Sequence, residues 1–166
     1  NQLEVGLDWQ PRSGTLLRLA AYRKEYENYP VGIRGYYMPM VDYGTDFLYY
    51  ETRRISAYGY GYARGLELIV QHRWRNRLEL LCGGALFTSR FESPSGKYTG
   101  AFDTEYSLSL TLNWKVKPWL QLGLRYVGDG GHPTTRIDEV ACNFLGYTIY
   151  DDRVIYQDRL PPYQRL

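Results

Sequence analysis

The sequence predicts an all-β protein: an antiparallel up-and-down transmembrane β-barrel segment, with about six to eight strands of a larger barrel. Three observations predict this class. Apolar and polar residues alternate over several segments, short turns alternate with long connections, and all four tryptophans lie beside the short turns. No apolar run approaches the roughly 18 residues that a spanning helix needs, which excludes a helical membrane protein.

Alternation is clearest over residues 106–114, where tyrosine, leucine and tryptophan occupy every second position and serine, threonine and asparagine occupy the others. Successive side chains of a strand point to opposite faces, so this segment has one apolar face and one fully polar face. At a tilt of ~40° the segment spans roughly 23 Å, close to the ~25 Å apolar band of a transmembrane barrel.

Residues 3–10 and 120–126 repeat this scheme and place Glu4, Asp8 and Arg125 on the polar face. Charged residues on an inner wall require an interior that holds water or a polar plug, as a wide barrel does. Strands are also predicted at residues 15 to about 26, about 60 to 73, and 77 to about 91. In the last of these both faces are apolar, so alternation alone does not choose its lipid side.

The connections alternate short and long: 11–14, about 28–52, 74–77, about 92–101, 115–118 and about 128–158. Outer-membrane barrels have short periplasmic turns and long extracellular loops, so the three short connections predict the periplasmic side. We expect the first long connection to contain further strand near residues 47–58, projecting above the membrane.

The short turns are flanked by Trp9, Trp74, Trp114 and Trp119, and they carry arginine and lysine but no carboxylate. Tryptophan settles where hydrocarbon meets water, because it combines a large apolar ring with one N–H donor. The four residues are therefore predicted to form the membrane interface, in contact with outer-membrane lipid.

Candidate ligand-binding residues at the outer lip are Tyr36, Tyr37, Tyr43 and Tyr98, which lie in the long connections. Tyrosine stacks on aromatic or sugar cargo. The alternative is that these four residues belong to the outer aromatic girdle of the barrel.

Composition excludes several function classes. The net charge of +2 comes from dispersed basic residues, so no nucleic-acid partner is predicted. The sequence contains only two histidines, His72 and His132, which are too few to build a catalytic set. The protein is therefore predicted not to be an enzyme. No metal-ligand spacing is present, and no cofactor is predicted. Cys82 and Cys142 are expected to be unpaired, because a mid-strand residue and a loop residue lie at different heights.

Two segments carry a resemblance to a known family. Residues 62–68, Tyr-Ala-Arg-Gly-Leu-Glu-Leu, open a strand with a glycine, an apolar residue, a glutamate and a leucine. Residues 123–128 precede a long loop that ends in the proline-rich segment 159–166. In order and spacing these elements resemble a mid-barrel strand and the last large extracellular loop of TonB-dependent outer-membrane receptors. The resemblance covers essentially the whole chain and points to the C-terminal part of the barrel, present here as a fragment.

This resemblance implies a barrel of about 22 strands closed around an N-terminal plug in the bacterial outer membrane. Residues 1–166 would then be a partial β-barrel domain, and the plug domain would be absent from this chain. The family imports scarce cargo such as ferric siderophores, cobalamin or glycans, energised by TonB. The implied partners are the remaining barrel strands, the plug, TonB through the missing N-terminal part, and a small-molecule cargo.

Two other functions fit the same pattern. A passive porin or small stand-alone outer-membrane barrel would be complete at 166 residues with an even number of strands. A soluble β-barrel ligand-binding protein would turn its apolar faces inward around a hydrophobic ligand. The arginine and carboxylates predicted to face inward argue against this last function, because a lipid-binding cavity would bury them unpaired at high cost.

Overall fold

One antiparallel sheet contains most of the chain. The computed structural model describes residues 1–34, 36–39, 54–75, 77–93, 96–151 and 154–166. The elements are β1 (Gln2–Trp9), β2 (Thr15–Arg34), β3 (Tyr36–Pro39), β4 (Arg54–Trp74), β5 (Leu78–Ser93), β6 (Gly96–Thr99), β7 (Tyr106–Lys117), β8 (Leu120–Asp129), β9 (Pro133–Thr134), α1 (Glu139–Leu145), β10 (Asp158–Arg159) and β11 (Tyr163–Arg165).

The sheet has an up-and-down order, β1-β2-β4-β5-β7-β8-β11, with β3 added to β2 and β6 added to β5. All of these pairs are antiparallel. The predicted short turns join β1 to β2, β4 to β5, and β7 to β8, and the long connections join the other pairs. The predicted all-β, up-and-down class is confirmed. Within the described residues the sheet is open, with β1 and β11 at the two ends of the path.

Several strands are longer than alternation predicts. β2 continues to Arg34 and β4 starts at Arg54, whereas the sequence predicted ends near residues 26 and 60. β3 and β6 fold back as hairpins within two of the predicted long connections, at positions where no strand was predicted. The predicted strand near residues 47–58 is present from Arg54 onward, and residues 47–53 lie outside the described residues.

Strand pairing determines the faces of β5, which alternation left open. Leu78 lies opposite Trp74 on one side and Trp114 on the other. Directly opposite residues of antiparallel strands point to the same face. The face of β5 that includes Leu78, Leu80 and Cys82 therefore continues the apolar face of its neighbours.

Above the short-turn half of the sheet, the long strands are held by a small aromatic core. Tyr29 and Phe91 stack with ring centroids 5.3 Å apart, and Val31 completes the buried cluster. Phe91 lies opposite Gly61, whose missing side chain leaves room for the aromatic ring. This core explains why β2 and β4 continue beyond the lengths predicted from alternation.

Gly61→Ala is expected to destabilise this upper part of the sheet by about 1–3 kcal/mol, the usual cost of overpacking. A Cβ at this position would lie 2.7 Å from Cδ1 of Phe91, which is itself buried. The matched control is Gly6→Ala, where the nearest atom to the new Cβ is 3.7 Å away. Proteolysis of the natural full-length protein in detergent measures the difference: Gly61→Ala should expose cleavage sites in the extensions, and equal cleavage of both variants would contradict the expected overpacking.

The last long connection contains a helix that alternation did not predict. Asp138 caps the start of α1 by accepting from the Ala141 N–H at 3.0 Å, and Gly146 ends the helix with a φ of 77°. Cys142 therefore lies on a helix, where its Sγ accepts from the Ile149 N–H at 3.0 Å. Both cysteines are free, as expected. Within the described ranges, no helix is long and apolar enough to cross a membrane.

Candidate functional site

The apolar face of the sheet is a continuous band. Its rows follow the register, so that Leu7, Leu19, Leu68, Gly84 and Leu108 occupy one row across five strands. Most of the large side chains of this band are exposed. Above the band the same face becomes polar, with Arg23, Arg64 and Thr88 in one row. A broad exposed apolar surface with polar edges is the form of a lipid-facing barrel wall.

The tryptophans mark the lower edge of this band, and they are staggered. Trp74 and Trp114 share a row through Leu78. The row of Trp9 instead runs across the four following strands through Leu17, Val70, Cys82 and Leu110, and Leu110 lies four residues before Trp114. At ~3.3 Å per residue and ~4.8 Å per strand, this stagger corresponds to a strand tilt of about 35°, within the range of closed barrels. A plane with this tilt through Trp9 and Trp114 crosses β4 near His72, two residues from Trp74.

The fourth tryptophan, Trp119, belongs to neither face. It lies in the turn between β7 and β8, it is 76% exposed, and the ammonium group of Lys117 lies 5.2 Å from the centre of its ring. A register shift between Lys115 and Lys117 interrupts the alternation at this point, which is why parity does not describe Trp119. The contact of all four tryptophans with the membrane interface stays a prediction.

The opposite face is a polar wall that contains two cross-strand ion pairs. Asp8 and Arg18 are directly opposite each other and form two hydrogen bonds of 2.7 Å. Arg73 donates to Glu79 at 2.9 Å, again across a strand pair. Glu4 and Arg125 occupy the same face by register. The wall therefore carries fixed, solvated charges at several heights, as a water-filled interior allows.

The family model described as "TonB dependent receptor-like, beta-barrel" matches residues 1–166. The chain belongs to this family. No curated protein and no solved structure matches it. The receptor family is a family of outer-membrane transporters and not of enzymes, and the predicted resemblance is confirmed. The apolar band and the polar wall have the chemistry that a barrel of this family needs on its lipid side and its lumen side.

The long connections of the receptor barrel meet at a junction centred on Arg159. Its guanidinium donates to the carbonyl oxygens of Asp103 and Gly131, and its Nη2 lies 3.1 Å from Oε1 of Glu105. Asp103 is fully buried at 0% exposure. Its carboxylate accepts from the Ser89 N–H at 2.9 Å and lies 3.8 Å from Nη2 of Arg159. Two long connections are thus joined through one cation.

Sequence reasoning did not find this junction, which we call the loop junction (Asp103, Glu105, Gly131 and Arg159). Arg159 and Asp103 are 56 residues apart, and no local motif links them. Gly130 and Gly131 allow the backbone to approach closely, since a Cβ on either would lie 2.1 Å from a carbonyl oxygen, but this close approach is visible only in the structure. A nearby pair, Arg136 and Asp158, forms an exposed bidentate contact in which the Arg136 hydrogen bond lowers the pKa of the Asp158 carboxyl.

The structure describes the backbone of three of the four candidate lip tyrosines, on the two short strands β3 and β6. Tyr98 lies on β6 opposite Phe91 and is buried at 7% exposure. Tyr36 and Tyr37 lie on β3 beside β2. Tyr43 lies outside the described residues. Contact of these residues with cargo stays a prediction.

Potential metal ligands have other partners. His72 Nδ1 lies 2.7 Å from the Thr15 hydroxyl, and the His72 ring packs edge-on against Trp74. Asp138 caps α1. In the part of the chain that the structure describes, no three histidine, cysteine, aspartate or glutamate side chains are arranged to hold a metal ion.

Proposed function

We propose that this chain is the barrel wall of an active-transport receptor in the bacterial outer membrane, energised by TonB and importing scarce cargo such as ferric siderophores, cobalamin or glycans. The observation that carries the proposal is the two-faced sheet. One face has an apolar band with staggered tryptophans at its lower edge, and the other has paired charges. Family membership adds the transporter class.

The charges of the polar wall support a wide lumen over a closed, dry one. Asp8 and Arg18 are each 51% exposed in their side chains. The desolvation free energy of a charged side chain stays small only where water or other polar groups surround the charge. We propose that further strands complete the barrel and that a plug domain occupies its interior, as in the family. TonB would then act through that plug and not through the wall itself.

The upper end of the barrel is proposed to meet the cargo. The extended β2, β4 and β5 and the loop junction form a supported rim, not a set of free loops. Functional loops on a rigid scaffold are the usual place for recognition. Tyr36, Tyr37 and Tyr98 remain candidate cargo contacts on β3 and β6, and Tyr43, which lies outside the described residues, remains a fourth candidate.

The experiment is an uptake assay in the source cell. The gene is deleted, and uptake of labelled ferric siderophores, cobalamin and glycans is compared with that of the complemented strain. We expect one cargo class to be lost on deletion and restored by complementation, and we expect its uptake to stop when a protonophore collapses the inner-membrane gradient. Uptake that depends on the gene but resists the protonophore would instead indicate a passive porin.

A further inference from the structure

Two arginines lie on the apolar face immediately above its band. Arg64 lies two residues from Leu66 on β4, and Arg90 on β5 is directly opposite Tyr62. Every second residue of a strand and directly opposite residues share a face, so both arginines lie on the face of the apolar band and not on the polar wall. We call Arg64 and Arg90 the arginine pair.

The height of the arginine pair matches the upper boundary of a bilayer. On β4, Trp74 lies at the lower edge of the band, and Arg64 lies ten residues before it. At ~3.3 Å per residue and a tilt of ~40°, this separation spans about 25 Å, which is the height of the apolar band of a transmembrane barrel. Arg90 lies one row above Arg64. The arginine pair is therefore at the level of the upper lipid headgroups.

Other charges on this face already have partners. The Arg23 guanidinium donates to Oε1 of Glu25 at 2.9 and 2.6 Å. The Lys97 ammonium group lies 2.8 Å from Oε1 of Glu92. Each of these cations is neutralised by a carboxylate on the same face, so neither needs an external anion.

The arginine pair has no such partner. The centre of the Arg64 guanidinium lies 5.8 Å from the centre of the Tyr62 ring, and Arg90 donates to the Thr99 hydroxyl. Among the described residues, neither arginine has a carboxylate within ion-pair distance. Two like charges on neighbouring strands repel each other, and an anion bound between them removes that repulsion. The pair therefore favours an anionic ligand.

Both arginines can reach one phosphate group. Arg64 is directly opposite Thr88, which is two residues before Arg90, so the pair is diagonal across two antiparallel strands. Diagonal residues lie ~7–8 Å apart, a distance that two long side chains bridge around one small anion. Guanidinium is planar and presents its donors in a fork that matches two oxygens of a phosphate.

The surface directly below the arginine pair favours a lipid over a free phosphate. Leu66 and Leu86 are opposite each other in the next row down, and they are 53% and 63% exposed. A ligand that combines a phosphate with acyl chains contacts the arginines and these leucines together, and burial of apolar surface adds to its affinity. Inorganic phosphate gains only the polar contact.

We propose that the arginine pair binds the phosphate of a phosphorylated glycolipid in the outer leaflet of the outer membrane, with the acyl chains of this lipid against Leu66 and Leu86. The Tyr62 ring beside Arg64 offers an aromatic surface to the sugar of the headgroup. This inference rests on the proposed function, because it requires the apolar face to contact lipid and the long connections to be extracellular.

The test is titration of the purified natural full-length protein, in detergent, with lipid A, a diphosphorylated glycolipid. Native mass spectrometry measures the fraction of the protein that carries the lipid. Arg64→Gln and Arg90→Gln should each weaken binding about tenfold, as expected for the loss of a charge-assisted hydrogen bond. Arg64→Lys should weaken binding less, because it keeps the charge but loses the fork of donors.

The matched control is Lys24→Gln. Lys24 is directly opposite Ala63, the residue next to Arg64, and therefore lies on the polar wall at nearly the same height. The substitution removes the same charge from the other face, so it should change the affinity for lipid A by less than about twofold. An equal loss for Lys24→Gln and Arg64→Gln would mean that net charge attracts the lipid, and this result overturns the proposal.

Two further probes distinguish a lipid from a free phosphate. Lipid A without its phosphates should bind the natural protein about 100-fold more weakly, because both arginines lose their ligand. Millimolar inorganic phosphate should leave bound lipid A in place, because it has no acyl chains. Equal binding of the phosphorylated and dephosphorylated lipids overturns the proposal, and so does complete displacement by inorganic phosphate, which indicates a small-anion site.

The native Cys82 separates failure of the arginine pair from failure of the proposed orientation. It lies on the apolar face opposite Val70 and Leu110. In isolated outer membranes it should react with a lipid-soluble maleimide and not with a charged one. Reaction with the charged reagent contradicts the proposed function itself, whereas the expected labelling together with unchanged lipid binding by Arg64→Gln and Arg90→Gln rejects only the lipid site.

Discussion

Leu110→Arg is expected to destabilise the membrane-inserted barrel by about 2–4 kcal/mol, the cost of an arginine on the lipid face near the bilayer midplane. Leu110 lies halfway between Tyr106 and Trp114 on β7, and its neighbours in the register are Cys82 and Tyr126. The measurement is the free energy of unfolding of the natural full-length protein in lipid bilayers, from a denaturant titration.

Two control substitutions make this result specific to a membrane. Ser109→Arg places the same side chain on the polar wall beside Gly83 and Val127, and it should cost less than about 1 kcal/mol because the charge stays hydrated. Leu78→Arg lies on the apolar face in the row of Trp74 and should cost only about 0–1 kcal/mol, because an arginine at the interface reaches water. In a soluble barrel whose apolar face is its core, Leu78→Arg and Leu110→Arg would be equally damaging.

The sequence is sufficient to predict those strands in which apolar and polar residues alternate at every second position. Strands β7 and β8 begin at the predicted residues and continue three residues beyond the predicted ends, and their starts were predictable because one face is apolar and the other is polar over residues 106–114. β5 shows where this reasoning fails. Both its faces are apolar, and its lipid side is determined only by the pairing of Leu78 with Trp74 and Trp114, which is information held in other strands.

Tertiary contacts also explain the strand lengths that were missed. Tyr29 and Phe91 stack across β4 although they are far apart in the chain, and no alternation of residues around either one signals that contact. The helix α1 was also not predicted, but for a different reason. Asp138 before the helix and Gly146 after it are ordinary capping residues, so the sequence does contain a helix signal. Alternation with period two does not detect this signal.

In the candidate site, too, some features can be predicted from the sequence and others depend on contacts between strands. The polar wall was predicted through Glu4, Asp8 and Arg125, because each residue alternates with apolar neighbours. The sequence shows Arg73, Arg77 and Lys115 only as basic residues in or beside short turns, and that all three line one cavity depends on the register of β4, β5 and β7. The loop junction had no local signal at all.

Arg159→Met is expected to release the loop junction, with a cost of about 3 kcal/mol to the closed form of the extracellular connections. The substitution removes the only cation within ion-pair distance of the buried Asp103 carboxylate among the described residues. It also leaves the carbonyl oxygens of Asp103 and Gly131 without the donors that the guanidinium supplies. The full cost of breaking a buried ion pair is reduced here because Arg159 is itself 25% exposed and water can reach part of the site.

Limited proteolysis of residues 130–160 in the natural full-length protein measures this opening, since cleavage follows the population of the open form when closing is fast. Arg159→Met should be cut about 100-fold faster than the natural protein, the factor that corresponds to the expected cost.

Arg136→Met is the matched control, because its ion pair with Asp158 in the same connection is exposed and should change the rate by less than about fivefold. Arg159→Lys keeps the charge but loses the planar set of donors that reaches two carbonyl oxygens, so its rate should fall between the two. Equal rates for Arg159→Met and Arg136→Met would mean that the two extracellular connections hold their positions independently, and that the buried Asp103 is stabilised by its backbone and hydroxyl donors alone.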